Sequence, residues 1–265
     1  MEAKLKVRRF DPQSGDGIHY QSYALEVPDY ATVLDVLLQI RDDLDDSLAM
    51  RCSCRSAICG SCAMRINGQA RLACKTKMKE VAADGEEVVI EPVGNMAVVK
   101  DLVADMAPFW QKVLAVEPWL QPKGPPPERE YLVPHEAMRS LTDIAACIMC
   151  GSCVSDCTVL ETELELGKPS EQTFLGPAAL AKAYRFVGDP RDAADAERLL
   201  ALSRQEGIWD CTRCNVCLEV CPKGVAPMEQ ILALRRKALE QGYEEYLGAR
   251  HTLEFEKTVR ESSWL

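Results

Sequence analysis

Apolar and polar positions alternate from the start of the chain. Residues 4–9 (KLKVRR) and 20–27 (YQSYALEV) change sides at nearly every position, the mark of strands with one buried face, and the segment between them, DPQSGDG, is dense in turn formers. This predicts an N-terminal hairpin. Past Pro28 the period lengthens. Val33, Leu34, Leu37, Leu38 and Leu44 recur near helical spacing behind Thr32, a side chain suited to an N-cap, and predict one amphipathic helix covering the sheet. AMRING turns tightly at Asn67-Gly68 into ARLAC, and EEVVIEPV reads as a last strand. Hairpin, helix, loop and closing strands are the order of a small α+β domain.

From about residue 100 the pattern becomes helical through Leu102, Val103, Met106, Phe109, Trp110, Val113 and Leu114. Residues 121–134 (QPKGPPPEREYLVP) hold five prolines and predict a stiff, extended surface segment. Further helices are expected near 136–146, at 177–187 between Pro177 and Gly188, at 191–205, and at 227–241 between Pro227 and Gly242. The second half therefore reads as all-helical, with domains at 1–104 and 105–265.

A net charge of -10, with no long Lys/Arg block, excludes nucleic acid as a partner, because phosphate binding needs a concentrated basic surface. No apolar run approaches the roughly 18 residues of a membrane span, and MEAKLKVRRF has no apolar stretch behind its charges as a secretory signal would. The expected compartment is cytoplasmic, where thiols stay reduced. That bears on the thirteen cysteines: at short regular spacings in a reducing compartment they are metal ligands rather than disulfides.

Cys54, Cys59, Cys62 and Cys74 form C-x4-C-x2-C-x11-C, the plant-type spacing for a 2Fe-2S cluster. Two copies of C-x2-C-x2-C-x3-C follow, Cys147 to Cys157 and Cys211 to Cys221, as in two-cluster bacterial ferredoxins. In that scheme the fourth cysteine of each run serves the other cluster. Cys147, Cys150 and Cys153 are then completed by Cys221, and Cys211, Cys214 and Cys217 by Cys157. Zinc ribbons instead use two well-separated pairs, so the spacing favours iron. Gly60 and Ser61, between Cys59 and Cys62, let the backbone come close to a cluster.

Twelve thiolates for three clusters leave Cys52 over, and it reads as a free thiol rather than a ligand. His19, His135 and His251 lie far from every cysteine run, which gives Rieske-type ligation no support and suits surface or capping roles. Trp110, Trp119, Trp209 and Trp264 read as packing residues, and only Trp209 is near a cluster motif in sequence. Pro222 after Cys221 matches the ferredoxin ending, whereas Thr158 takes that place after Cys157.

Taken in order, CRSAICGSCAMRINGQARLAC, CIMCGSCVSDC, FLGPAALAKAYRF and CTRCNVCLEVCPKG resemble the iron–sulfur subunit of succinate dehydrogenase and fumarate reductase over nearly the whole chain. The resemblance implies an α+β protein: an N-terminal β-grasp 2Fe-2S ferredoxin domain followed by an all-α helical ferredoxin domain. It also implies an electron-transfer role in the respiratory chain and tricarboxylic acid cycle. The expected partners are a flavoprotein subunit that carries FAD and oxidises succinate to fumarate, and membrane-anchor subunits, with haem among the partners' cofactors. Quinone is expected at the terminal cluster, and the subunit itself at the cytoplasmic side of the cell membrane, peripheral and held by its anchors. The competing readings are a fumarate reductase or heterodisulfide-reductase-like electron-transfer subunit, and a free-standing ferredoxin-like carrier. Against the carrier stand the helical segment 177–205 and the apolar stretch 100–120.

Two departures from the family pattern matter. Familiar members hold a terminal 3Fe-4S cluster because the second run has a non-cysteine at its second position, where this chain has Cys214. A second 4Fe-4S cluster is therefore expected, with 3Fe-4S beside an unused Cys214 as the alternative. Thr158, Val159 and Leu160 replace Pro, Ser and Trp residues that help form the quinone pocket, and Thr212 replaces a histidine. Lys223, Arg213, Trp209 and Thr158 mark the expected surroundings of the terminal cluster or quinone. Lys223 and Arg213 either raise a potential or touch a headgroup, or are ordinary surface cations.

Overall fold

The alternating N-terminal segments pair as predicted. In the computed structural model, which describes residues 1–82, 86–122 and 124–263, β1 (Glu2–Arg9) runs antiparallel to β2 (His19–Glu26). Ala3, Leu5 and Val7 face inward from β1 and are fully buried. Helix α1 (Val33–Gln39) starts at a capping box: the Asp35 amide donates to Thr32 Oγ1 at 3.2 Å, and the Thr32 amide donates to the Asp35 carboxylate at 2.9 Å. Its last turn widens into a π-helical segment, Ile40–Leu44, so Leu44 leaves the apolar stripe and stands 58 % exposed rather than buried.

The hairpin at Asn67-Gly68 joins β3 (Ala63–Ile66) to β4 (Gln69–Leu72), both turn residues having positive φ. After the one-turn helix α2 (Met78–Val81), β5 (Val88–Glu91) enters the middle of the sheet, parallel to β1 and antiparallel to β3. The order β2-β1-β5-β3-β4, with α1 across one face, is the predicted β-grasp arrangement. Leu5, Ile66, Met64 and Ile90 from the sheet meet Leu34 and Leu37 of the helix in its core.

Leu102 and Val103 depart from their helical reading. They belong to a hairpin of β6 (Val98–Lys100) and β7 (Val103–Ala104), and helix α3 (Ala107–Ala115) begins only after Asp105 accepts from the Ala107 amide at 2.9 Å. The cause is a buried ion pair. Arg9 occupies an inward position of β1 and donates from Nε to Asp101 Oδ1 at 3.0 Å, while the Ala49 amide donates to Asp101 Oδ2 at 2.9 Å. Asp101 is thereby held at a turn with φ of 45°.

Contacts divide the chain into two units of interleaved segments: 1–109, 147–157 and 219–223 form one, and 110–146, 158–218 and 224–265 the other. The first unit also contains the short helix α5 (Ser152–Ser155). The second is helical, comprising α4 (His135–Ala145), α6 (Thr158–Glu165), α7 (Pro177–Val187), α8 (Asp195–Leu202), α10 (Pro227–Glu240) and α11 (Leu247–Ser262), with α9 (Val216–Glu219) ending at the boundary. α7 packs against α4, α8 and α10, and its small Ala179 and Ala183 are buried, as are Leu199 of α8 and Ile231 and Leu234 of α10. Helix α8 is shorter than the 191–205 expected. Asp192 uses its carboxylate on the amides of Gln121 and Ala194, at 2.9 Å each, so residues 191–194 form a turn.

The described residues of the proline-rich segment, 121–122 and 124–134, form no helix, in line with the sequence reading. Its start is pinned by the Ala193 amide donating to the Gln121 carbonyl at 2.8 Å, while Arg198, 6 % exposed, donates to the carbonyls of Val116, Glu117 and Trp119 just before it. Helices α6 and α11 carry no sequence expectation, and α11 is largely solvated apart from Ala249. Among the described residues, no helix is long and apolar enough to cross a membrane.

Candidate metal centres

The Cys54–Cys74 loop is shaped by left-handed residues. Arg55, Ala57 and Gly60 have φ of 54°, 55° and 75°, which curls the backbone so that its amides face inward. The amides of Ser56, Ile58 and Cys59 donate to Cys54 Sγ at 3.4, 3.3 and 3.2 Å. The Ala57 amide donates to Cys74 Sγ at 3.3 Å and the Cys54 amide to Cys59 Sγ at 3.5 Å. Such a cradle is the donor set a 2Fe-2S group requires: four thiolates whose charge is met by backbone dipoles. Cys59 shows the effect, its thiol lowered to about 6 by the Ser61 hydroxyl and nearby amides. Cys62, buried against the core, is pushed up to about 12 by desolvation. Cys52 lies partly buried against the same core.

Cys147, Cys150, Cys153 and Cys221 all belong to the first unit. Burial raises the Cys150 thiol, and the sulfurs of Cys147 and Cys221 act in the same direction. Cys150 Sγ also stands 3.4 Å from Ser152 Oγ. The loop is tied firmly to the sheet. Arg65 donates to Asp156 Oδ1 and to the Ser155 carbonyl, the Ala70 amide donates to Asp156 Oδ2 at 2.7 Å, and Asn95 Nδ2 donates to the carbonyls of Val154, Ser155 and Cys157. Arg65, Asn95 and Asp156 are thus site-shaping residues that spacing alone does not reveal.

Cys211, Cys214 and Cys217 lie in the second unit, while Cys157 is counted with the first. Arg213 and Asn215, flanking Cys214, have φ of 61° and 69° and turn the loop outward. Cys214 is exposed, and Thr158 Oγ1 donates to its sulfur at 3.5 Å. Burial opposes ionisation there, but the hydroxyls of Thr158 and Thr212 and the Val216 amide outweigh it and lower the Cys214 thiol. Beneath this loop Arg235 is buried, donating to the carbonyls of Ile208 and Cys211 at 2.7 Å each and lying 5.3 Å from the Trp209 ring centre.

The remaining site residues separate by environment. Lys223, Arg213 and Thr158 are exposed. Trp209 is a packing residue, since a side chain built on Gly248 would stand 2.5 Å from its Cβ. Trp110 on α3 and Trp119 in the loop after it are instead 44 % and 50 % exposed, against the packing expectation. Trp264 lies outside the described residues. His19, His135 and His251 are on the surface.

None of the thirteen cysteines forms a disulfide. Among the described residues, no three His, Cys, Asp or Glu side chains converge as ligands of a single metal ion. A cluster differs in distributing its thiolates over two or four irons.

These loops define the class: an iron–sulfur protein of two modules. Residues 4–111 match the family described as a 2Fe-2S iron-sulfur cluster binding domain, and residues 143–225 the family described as a 4Fe-4S dicluster domain. The chain is 35 % identical over 243 residues to the succinate dehydrogenase iron-sulfur subunit of Paracoccus denitrificans, covering 90 % of this chain and 88 % of that one. It is 34 % identical over 239 residues to the fumarate reductase iron-sulfur subunit of Haemophilus influenzae, covering 86 % and 89 %. A chain of the Mycobacterium smegmatis Sdh1 complex in the apo form superposes with a TM-score of 0.83 at 27 % identity, over 93 % of this chain and 99 % of that one. The chain belongs to the family of succinate dehydrogenase and fumarate reductase iron–sulfur subunits.

Proposed function

We propose that this chain is the electron-transfer subunit of a succinate:quinone oxidoreductase, an assignment carried by the amide-lined loop of Cys54, Cys59, Cys62 and Cys74 in a member of that family. Bound clusters supply one-electron oxidation and reduction, so the chain needs no catalytic residue of its own. Cys54, Cys59, Cys62 and Cys74 hold the 2Fe-2S group, and Cys147, Cys150, Cys153 and Cys221 the 4Fe-4S group. Cys157, Cys211, Cys214 and Cys217 hold a terminal 4Fe-4S group. Residues 1–104 and 105–265 divide the work between the ferredoxin-like and helical modules.

The partners are a flavoprotein subunit with FAD, which oxidises succinate, and membrane-anchor subunits that bring quinone to the terminal centre. The subunit sits peripherally at the cytoplasmic side of the membrane. Exposed Lys223, Arg213 and Thr158 are available to an anchor or a quinone headgroup, whereas Trp209 supports the loop from within. Fumarate reduction would use the same residues with electrons running the other way, as the similarity to a fumarate reductase subunit allows.

The test is purification through a tag on this chain from its own membranes. A flavoprotein and succinate-dependent quinone reduction should come with it. Recovery of a loaded chain alone, accepting no electrons from succinate, would refute the assignment in favour of a free-standing carrier.

A further inference from the structure

The loop of Cys54, Cys59 and Cys62 and the loop of Cys147, Cys150 and Cys153 meet at one glycine. Gly60 is buried and left-handed, with φ of 75°. A Cβ built on it would stand 2.8 Å from Cys150 Cβ, 2.9 Å from Cys150 Cα and 3.1 Å from the Ile148 carbonyl oxygen. The first two separations are closer than real Cβ atoms come, and the obstacle is the fixed root of a side chain rather than its flexible end. The backbone between Cys59 and Cys62 is therefore packed directly on the backbone of Cys150. Ala57, Ile148 and Cys150 also pack against the same apolar core, which leaves the contact little slack.

Gly68, 8 residues on, separates the two demands placed on such a glycine. It has nearly the same backbone conformation, φ of 78°, but nothing within 4 Å of a built Cβ. Its hydrogen serves the turn alone, whereas that of Gly60 serves the turn and the neighbouring loop.

Electron tunnelling falls steeply with the length of the gap between bonded paths. The contact at Gly60 gives the shortest kind of gap: one van der Waals step from a residue covalently next to Cys59 onto Cys150 itself. We infer that Gly60 is a positioning residue for electron transfer, its missing side chain setting the distance from the 2Fe-2S ligand loop to Cys150 of the 4Fe-4S loop. One electron crosses in each event. The donor centre is oxidised by one electron and the acceptor centre reduced by one, with no proton moved and no bond to substrate made or broken. This inference rests on the ligand assignment above.

The experiment uses the intact complex carrying Gly60→Ala, Gly60→Asn or Gly68→Ala. Asn tolerates a left-handed backbone best among residues with a Cβ, so Gly60→Asn isolates the steric effect from the turn. Two quantities are read by low-temperature EPR: the broadening of the reduced 2Fe-2S signal when the 4Fe-4S centre is also reduced, and the rate of 4Fe-4S reduction after rapid mixing. Both Gly60 variants are expected to weaken the broadening and slow that rate several-fold, while Gly68→Ala changes neither. Loaded Gly60 variants with unaltered broadening and rate would overturn the inference. If they fail to load, the unaltered complex decides. Broadening there upholds the close contact, and its absence between two loaded centres refutes it. An unaltered complex that holds no such clusters would instead refute the ligand assignment itself.

Discussion

Arg65 on β3 and Asp156 in the first ferredoxin-type cysteine run, 91 residues apart in the chain, are joined by a 3.0 Å hydrogen bond from Nε to Oδ1. The carboxylate also accepts from the Ala70 amide and the Ser155 hydroxyl, so a single side chain ties the metal-binding turn to two strands. Asp156 is 8 % exposed and Arg65 25 %. Breaking such a pair leaves an uncompensated charge and an unpaired amide, and Asp156→Ala should cost about 3 kcal/mol. Denaturant unfolding of the two proteins measures it, and a loss within the scatter of ordinary surface substitutions would contradict the pairing.

Gly94 lies under the same junction. A Cβ there would meet the Ser155 carbonyl oxygen at 2.6 Å and Arg65 Cζ at 2.8 Å. Gly94→Ala should therefore overpack the site, lowering stability by about 1–3 kcal/mol. The thermal midpoint is the readout.

Acid should act through the network around Arg9. Burial alone would raise the Asp45 carboxyl, but hydrogen bonds from Ser47, Tyr23 and Arg9 outweigh it and hold the group below the usual carboxylate range. A depressed native value means the proton prefers the unfolded chain. The stabilisation is complete above the unfolded value of about 3.9 and is lost as pH falls from there through the native value. Asp45→Asn should be less stable than the unaltered protein at neutral pH, and the gap should close on acidification below about pH 4. Urea midpoints of the pair against pH check this. A gap that persists unchanged would contradict the network.

Cys214→Ser should alter or remove only the terminal cluster, stopping quinone reduction while leaving the 2Fe-2S and flavin signals in place. Unaffected turnover with quinone would show that Cys214 is not a ligand.

The parts legible in sequence are those where local chemistry decides the outcome. Thr32 and Asp35 announce a helix start, Asn67-Gly68 a tight hairpin, and three cysteines at successive threes a loop curled around a polynuclear group. What escaped depends on partners distant in sequence. Leu102 and Val103 have helical spacing, yet Asp101 answers to Arg9 across the fold and forces a turn. Leu44 lost its burial to a π-helical turn, and helix 191–205 lost its start to the carboxylate of Asp192. Arg65, Asn95 and Asp156 carry no motif, because each acts through backbone carbonyls and amides that only the folded chain assembles.

The most direct test of the three-centre assignment is EPR, with iron analysis, of the anaerobically purified complex, first oxidised and then reduced with succinate. With Cys214 as a ligand, the oxidised sample should show no 3Fe-4S signal, since an oxidised 4Fe-4S cluster has no unpaired spin, and a 2Fe-2S signal should grow on adding succinate, with about ten irons per chain besides haem iron. A strong 3Fe-4S signal in the oxidised sample would contradict the terminal ligand set, and no 2Fe-2S signal after succinate would contradict the electron-transfer role.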